Sequence, residues 1–518
     1  MSGERLRGFE RRDLIKSAAA LAVFAGLSRF PAMGQIAGAY PFKLGVASGD
    51  PWPDGFVIWT RLATQPLAPA GGMPMRAVPV SWEIAEDDSF KRIVRSGDTL
   101  ARPELGHSVH VELNGLKPGH RYWYRFQAAG DVSTVGTART APAAGAKLDR
   151  LRIAVAGCQH YEAGLFTAYR HISQIPDLDA VFHYGDYIYE GGGRPLADDR
   201  VREHVGSEIY TIDDYRRRHA QYKTDSDLQA AHAAAPFLSS WDDHEIDNNW
   251  AGREDQDGTP PELFALRKAM AMQAWYENMP VRQAQFPAGA SLRLHRRIDY
   301  GDLLRIHVLD SRQYRTGQIC NPEDTNNCIP ISAENTILGA EQERWLHEGI
   351  GHKGRWNLLA QQVMVMPFLY SKERAAGRAN TDSWSGYPGT RDRLVSAITE
   401  QRLSNVVIAT GDVHRHHVGA VPQRAEAFDG PAVATEFVCT SISSGGDGSA
   451  KLARAWRDVP ADNPHCKLIS NQRGYQLFDI GRERWDTHVR VVDKVTTPGG
   501  AVSTLKTFSV DPRRPGLL

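Results

Sequence analysis

The sequence lacks an excess of charge, a dense set of cysteines and any late apolar run of bilayer length, and each lack removes a class of protein. Lys+Arg number 61 and Asp+Glu 61 in 518 residues. No basic field therefore draws the chain to nucleic acid or to an anionic membrane, and any affinity for phosphate must be local. Five cysteines are too few for a disulfide scaffold. No stretch beyond the amino terminus is long and apolar enough to span a membrane. No internal repeat and no low-complexity tract is found, so the chain is neither an array nor a linker.

What is present is a globular composition, 42% apolar and 24% charged, on a chain long enough for two or three domains. The amino terminus reads as a targeting segment over residues 1–38. Glu10-Arg11-Arg12-Asp13-Leu14-Ile15-Lys16 carries paired arginines, Ser17 to Leu27 is a short alanine-rich apolar run, and small residues follow. This is the pattern of a twin-arginine export signal, too short to anchor. It predicts the twin-arginine translocation machinery as a partner and a periplasmic or secreted location. Export permits disulfides, and proximity pairs Cys320 with Cys328 and Cys439 with Cys466, one of three arrangements of four cysteines. Cys158 is then left over at a strand end, where metal ligation would explain it.

After the leader, Val57–Leu62, Val78–Ile84, His107–Leu113 and the aromatic run to Phe126 alternate polar and apolar residues between turns. They predict a small all-β sandwich of immunoglobulin or fibronectin type over residues 40–142. A small-residue linker, Ala141–Ala146, leads to a region (150–518) in which strands alternate with helices. The helices are expected at Phe166–Gln174, Ile212–Ala235, Pro260–Met279, Gly339–Gly349 and Arg391–Arg402. That is an α/β layered domain.

Four strand-like runs in this region end in chemistry-bearing residues: Gly157-Cys158-Gln159, Gly185-Asp186-Tyr187-Ile188-Tyr189-Glu190, Trp241-Asp242-Asp243-His244-Glu245-Ile246-Asp247-Asn248-Asn249, and Gly411-Asp412-Val413-His414. Ligands in open α/β sheets lie beyond the carboxyl ends of strands, so these endings predict one site. Asp186, Asp242, Asp243, Asp247, Asn248 and Asp412 are hard oxygen donors that suit Ca2+, Mg2+ or Mn2+. Cys158, Tyr189 and His414 suit a transition metal, with phenolate and thiolate favouring ferric iron and zinc left open. Two metals bridged by one aspartate form the clamp for in-line displacement at phosphorus, one of them generating hydroxide.

These motifs, with Leu309-Asp310-Ser311-Arg312-Gln313-Tyr314-Arg315 and the opening Gly45–Pro51, resemble the PhoD-type alkaline phosphatase/phosphodiesterase family of the calcineurin-like metallophosphoesterases. The resemblance implies a four-layer α+β catalytic domain behind a β-sandwich, and Fe(3+) with Ca(2+). It makes Cys158, Tyr189 and His414 iron ligands, Asp186 the bridge, and Asp243 and Asp412 calcium ligands, with Asp247 and Asn248 holding a second Ca2+. His244 resembles the histidine that contacts phosphate or protonates the leaving group, and Asp242 is placed to orient it. Arg312 is read as a bidentate phosphate contact, with an ion pair as the alternative. His416, His417 and Arg415 are read as surface or supporting residues, and Trp345, Trp384 and Tyr387 as core. The expected function is an exported phosphoesterase acting on small monoesters or diesters by metal-hydroxide attack. A phospholipase D acting on lipid head groups, and a non-catalytic phosphate- or metal-binding protein, are the rivals.

Overall fold

The structure is a computed structural model. It describes residues 39–192, 200–317, 319–320, 329–370 and 380–518. The export signal expected over residues 1–38 lies outside the described residues, as does Cys328. Among the described residues no helix is long and apolar enough to cross a membrane.

Two large sheets carry the molecule. The first has ten strands in the order Arg514–Leu517, Val502–Asp511, Trp485–Val492, Gly474–Gly481, Arg150–Ala156, Ala180–His183, Phe237–Ser239, Val46–Trp52, Gly55–Arg61 and Ser108–Glu112. The second has eight, in the order Arg296–Tyr300, Leu304–Val308, Trp356–Ala360, Val406–Thr410, Ala432–Val438, His416–Pro422, Cys466–Gln472 and Gly448–Ser449. Each has a parallel centre: Arg150–Ala156, Ala180–His183, Phe237–Ser239 and Val46–Trp52 in one, Leu304–Val308, Trp356–Ala360, Val406–Thr410 and Ala432–Val438 in the other. Nearly all residues of these strands are buried on both faces, as in parallel strands covered on both sides.

The packing follows from that pattern. Ile153, Val155 and Phe182 of the first sheet share a buried cluster with Ile306, Leu358 and Val407 of the second. The opposite face of the first sheet packs Ala154 and Val181 against Tyr169, Tyr215, Leu228 and Trp275 from helices Thr167–Ser173, Ile212–Lys223, Ser226–Ala234 and Pro261–Asn278. The outer face of the second packs Leu359 and Ile408 against Leu346 and Leu394 of helices Gly339–Gly349 and Pro388–Glu400.

The amino-terminal region is β-rich, but its strands divide. Val78–Ala85, Ile93–Ala101 and Arg121–Ala128 form a separate sheet with two short strands. Val46–Trp52, Gly55–Arg61 and Ser108–Glu112 instead extend the ten-stranded sheet, with Gly49 in register with Phe237. Ion pairing and hydrogen bonding fasten this junction: Arg296 reaches Asp50 at 2.8 Å, and Arg61 reaches Asn278 at 3.1 Å.

Two local expectations are corrected. The helix expected over Ile212–Ala235 is two helices, because Asp225 accepts the backbone N–H groups of Asp227 and Leu228 and caps a new helix at Ser226. Cys439 and Cys466 do not pair: both thiols are free and buried. Cys439 lies in the cluster between the sheets and Cys466 in the cluster on the outer face, so the eight-stranded sheet separates them. Cys320 is disulfide-bonded. His416 and His417 are fully buried on a strand rather than at the surface. Trp384 and Tyr387 are core, and Trp345 is half-buried.

Candidate metal centre

Parallel strands running the same way deliver their carboxyl ends to one place. Arg150–Ala156 leads to Cys158, Ala180–His183 to Asp186, Phe237–Ser239 to Asp242 and Asp243, and Val406–Thr410 to Asp412 and His414. The turns that follow are sharp. Cys158, Asp186, Asp412 and His414 all take positive φ, at 51°, 54°, 66° and 54°. That conformation disfavours L residues and is held only where surroundings dictate it. Gly185 must be glycine, since a Cβ there would lie 2.3 Å from the Asp242 backbone nitrogen.

The donors form three overlapping groups, each with its ligand atoms within 4.8 Å of one another: Cys158, Asp186 and His414; Asp186, Asp243 and His244; Asp242, Asp243 and Asp412. Asp186 joins the first to the second, and Asp243 the second to the third. The Tyr189 hydroxyl lies 2.9 Å from Asp186 Oδ2, 3.2 Å from His414 Nε2 and 2.7 Å from Ser444 Oγ. The soft donors and the carboxylates thus occupy two sides of one centre.

Its electrostatics fit bound cations. Asp186 Oδ1, Asp242 Oδ2 and Asp243 Oδ1 are buried without a hydrogen-bond partner, which an acceptor-only group does not tolerate cheaply. Burial pushes Asp186 up to about 7 and Asp242 up to about 8, and Asp412 well above the usual carboxylate range. Burial also drives the Cys158 thiol and Tyr189 phenol upward, with Asp186 adding to both. A cation among them reverses this, stabilising every ionised donor.

Other groups hold the donors in place. Glu245, fully buried, accepts the backbone N–H groups of Asp186, Tyr187 and Asp242 at 3.1, 2.7 and 2.9 Å, tying two strand ends together. Arg312 is completely buried, donating to Asp242 Oδ1 at 2.5 Å and Asp382 Oδ1 at 2.8 Å. It also stands 3.6 Å from Asp243 and 3.9 Å from Asp412. Its ion pairs match the alternative reading, with the guanidinium behind the carboxylates and Nη2 left without a hydrogen-bond partner.

His244 sits at the open side, with Nδ1 2.7 Å from Glu190 Oε2 and its ring 4.1 Å from that of Tyr189. Burial alone would lower its pKa, but Glu190, Asp243 and Asp186 hold it well above the usual histidine range. The orienting partner is thus Glu190, not Asp242, whose carboxylate is engaged by Arg312. Glu190 closes the Gly185–Glu190 stretch, but nothing in its spacing announces the contact. Asp247 stands outside the three donor groups, 2.7 Å from Arg267, and Asn248 gives its backbone N–H to Glu190. Arg267 opposes the effect of burial on the Asp247 carboxyl, which is still pushed up to about 7.

A thiol, a phenol, an imidazole and clustered carboxylates, with His244 at the mouth, make a donor set that suits bound metal. The family described as PhoD-like phosphatase matches residues 153–489, and its N-terminal domain matches residues 29–142. The chain belongs to the PhoD-like phosphatase family and is a phosphoesterase. Alkaline phosphatase D of Bacillus subtilis (strain 168) is 43% identical over 526 residues, covering 98% of this chain and 89% of that one. The solved structure titled "Structure of PhoD" superposes with a TM-score of 0.87 at 42% identity, covering 94% of this chain and 93% of that one.

Proposed function

We propose that the chain is an exported phosphoesterase whose centre takes Fe(3+) on Cys158, Tyr189 and His414 and Ca(2+) on Asp243 and Asp412, with Asp186 between them. The observation that carries this is the meeting of Tyr189 Oη, Asp186 Oδ2 and His414 Nε2 within 4.0 Å of one another, in a donor group with Cys158. Thiolate with phenolate suits ferric iron, and the all-oxygen side suits calcium. When bound, the metals supply a nucleophile at neutral pH and charge neutralisation at the phosphoryl group.

The chain's own residues do the rest. Glu245 fixes the turn that aims Asp186. Arg312 keeps Asp243 ionised and holds Asp242 in place. His244, held protonated by Glu190, donates a proton from Nε2 to the departing oxygen. The substrate is a small phosphomonoester or diester. The surrounding architecture supports a four-layer catalytic domain over residues 150–518, with helices outside both sheets. The β-rich region 40–142 supports an immunoglobulin-like sandwich, with part of it continuing the catalytic sheet. The paired arginines Arg11 and Arg12 support export by the twin-arginine machinery to the periplasm or beyond.

Turnover of a nitrophenyl phosphate monoester and the matching diester, with and without a calcium chelator, tests the reading. Calcium-dependent release of nitrophenolate is expected, together with iron on elemental analysis. Metal-loaded protein that turns over neither ester, and a His244→Ala variant that binds phosphate as the native chain does, would point instead to a binding protein.

A further inference from the structure

The turn after strand Val406–Thr410 contains the open wall of the centre. Asp412, Val413, His414 and Arg415 are half-buried, between buried Gly411 and buried His416. Arg415 directly follows His414, whose side chain is 35% exposed. Its charge acts on that imidazole and on Arg473.

The arginines around the centre differ in what they hold. Arg312 and Arg315 are buried and share Asp382. Arg473 is buried, donating to the His414 carbonyl at 2.8 Å and to Asn471. Arg415 has no carboxylate partner among the described residues. Its guanidinium instead lies over the ring of Trp456, 4.1 Å from the centroid. Trp456 is braced in turn by Tyr370 at 5.3 Å and Phe368 at 6.3 Å. Stacking fixes the plane of a guanidinium while leaving its five N–H groups free, which pre-organises it for an oxyanion. An isolated surface arginine would swing through many rotamers; this one is held flat beside a metal ligand.

We propose that Arg415, braced by Trp456, is a substrate-contacting residue that binds a second anionic group outside the reacting phosphoryl. The inference rests on the phosphoesterase reading and gives that site a preference: esters bearing a further phosphate or carboxylate are favoured over plain ones. Trp456 acts through Arg415 as a positioning residue.

The test uses two phosphodiesters that both release nitrophenolate, one with a plain propyl arm and one whose propyl arm ends in a second phosphate. Arg415→Ala should raise KM for the phosphate-bearing ester about tenfold, with kcat within about twofold, because a charged hydrogen bond is lost from binding rather than from the chemical step. The preference over the plain ester falls by the same factor. Arg415→Lys should recover part of it, and Trp456→Leu should lose less than Arg415→Ala. Equal losses on both esters, or a fall in kcat accompanied by loss of metal, would overturn the assignment. Calorimetry with propanediol bisphosphate separates this from the parent reading. Should the native enzyme cleave neither ester, weaker binding to Arg415→Ala still supports the contact, and equal binding refutes it.

Discussion

The two sides of the centre meet the same difficulty in different ways. Both gather groups that must be ionised to act and bury them where ionisation is disfavoured. On the side of Cys158, Tyr189 and His414, the polar atoms hold one another: the phenol bonds at once to Asp186, His414 and Ser444. On the side of Asp242, Asp243 and Asp412, a buried guanidinium stands behind the carboxylates. Burial works against Asp243, yet Arg312, His244 and the Asn249 N–H keep it below the usual range, while Asp242 and Asp412 are driven up despite the guanidinium. The first side depends on a cation to set its donors. The second has a counter-charge built in.

The largest effects should come from dismantling either side. Cys158→Ala should cost more than about a thousandfold in kcat/KM and remove iron while calcium still binds, because the metal contributes several kcal/mol of charge stabilisation. Elemental analysis of the same sample checks it, and joint loss of both metals would mean the two sides are not separable. Arg312→Met should instead act on folding, lowering stability by about 3–5 kcal/mol in urea titration, since carboxylates lose their buried partner. A stability within ~1 kcal/mol of native would show that bound calcium does the same work.

Smaller changes sharpen the contrast at the mouth. Glu190→Gln removes the nearest carboxylate from His244, so the histidine pKa falls. The alkaline limb of kcat, where the proton donor is lost, should move to lower pH, with a drop of about tenfold at alkaline pH. An unmoved limb would take His244 out of the proton transfer.

The gentlest effect is a slope. In protein stripped of metal, Asp186 and Asp242 titrate near 7 and 8 when folded but near the ordinary carboxylate value when unfolded. Between those limits the folded state binds more protons, so stability should fall as pH rises, by at most ~1.4 kcal/mol per pH unit for each group. Melting of the metal-loaded protein should lack this slope, and melting curves from acid to pH 8 with and without chelator decide it.

Much of the site was legible because parallel strands impose a rule: whatever follows each strand reaches the same edge. Cys158, Asp186, Asp243, Asp412 and His414 are each a strand-ending residue, and reading the strands was enough to collect them. What was hidden depends on contacts between residues distant in sequence. Arg312 meets Asp242 and Asp382 across 70 positions each way. Glu190 meets His244 across 54. Neither pairing has a spacing that a helix or strand would reveal. Proximity in sequence also misled, for Cys439 and Cys466 lie on opposite faces of one sheet. The strands from 46 to 112 looked self-contained because alternation reports one covered face and not which sheet a strand joins. The break at Asp225 was readable in principle, an aspartate ahead of Ser226 being a cap signal.

That joining of the early strands to the catalytic sheet carries a consequence for synthesis. Val46–Trp52 takes its place beside Phe237–Ser239, a neighbour that does not exist when it leaves the ribosome. At ~5–20 residues per second the wait is about ten to forty seconds. For that interval the nascent chain presents an unpaired, apolar edge, a template for association with another chain. Removing the first 142 residues would leave the mirror problem permanently, with the edge of Phe237–Ser239 open.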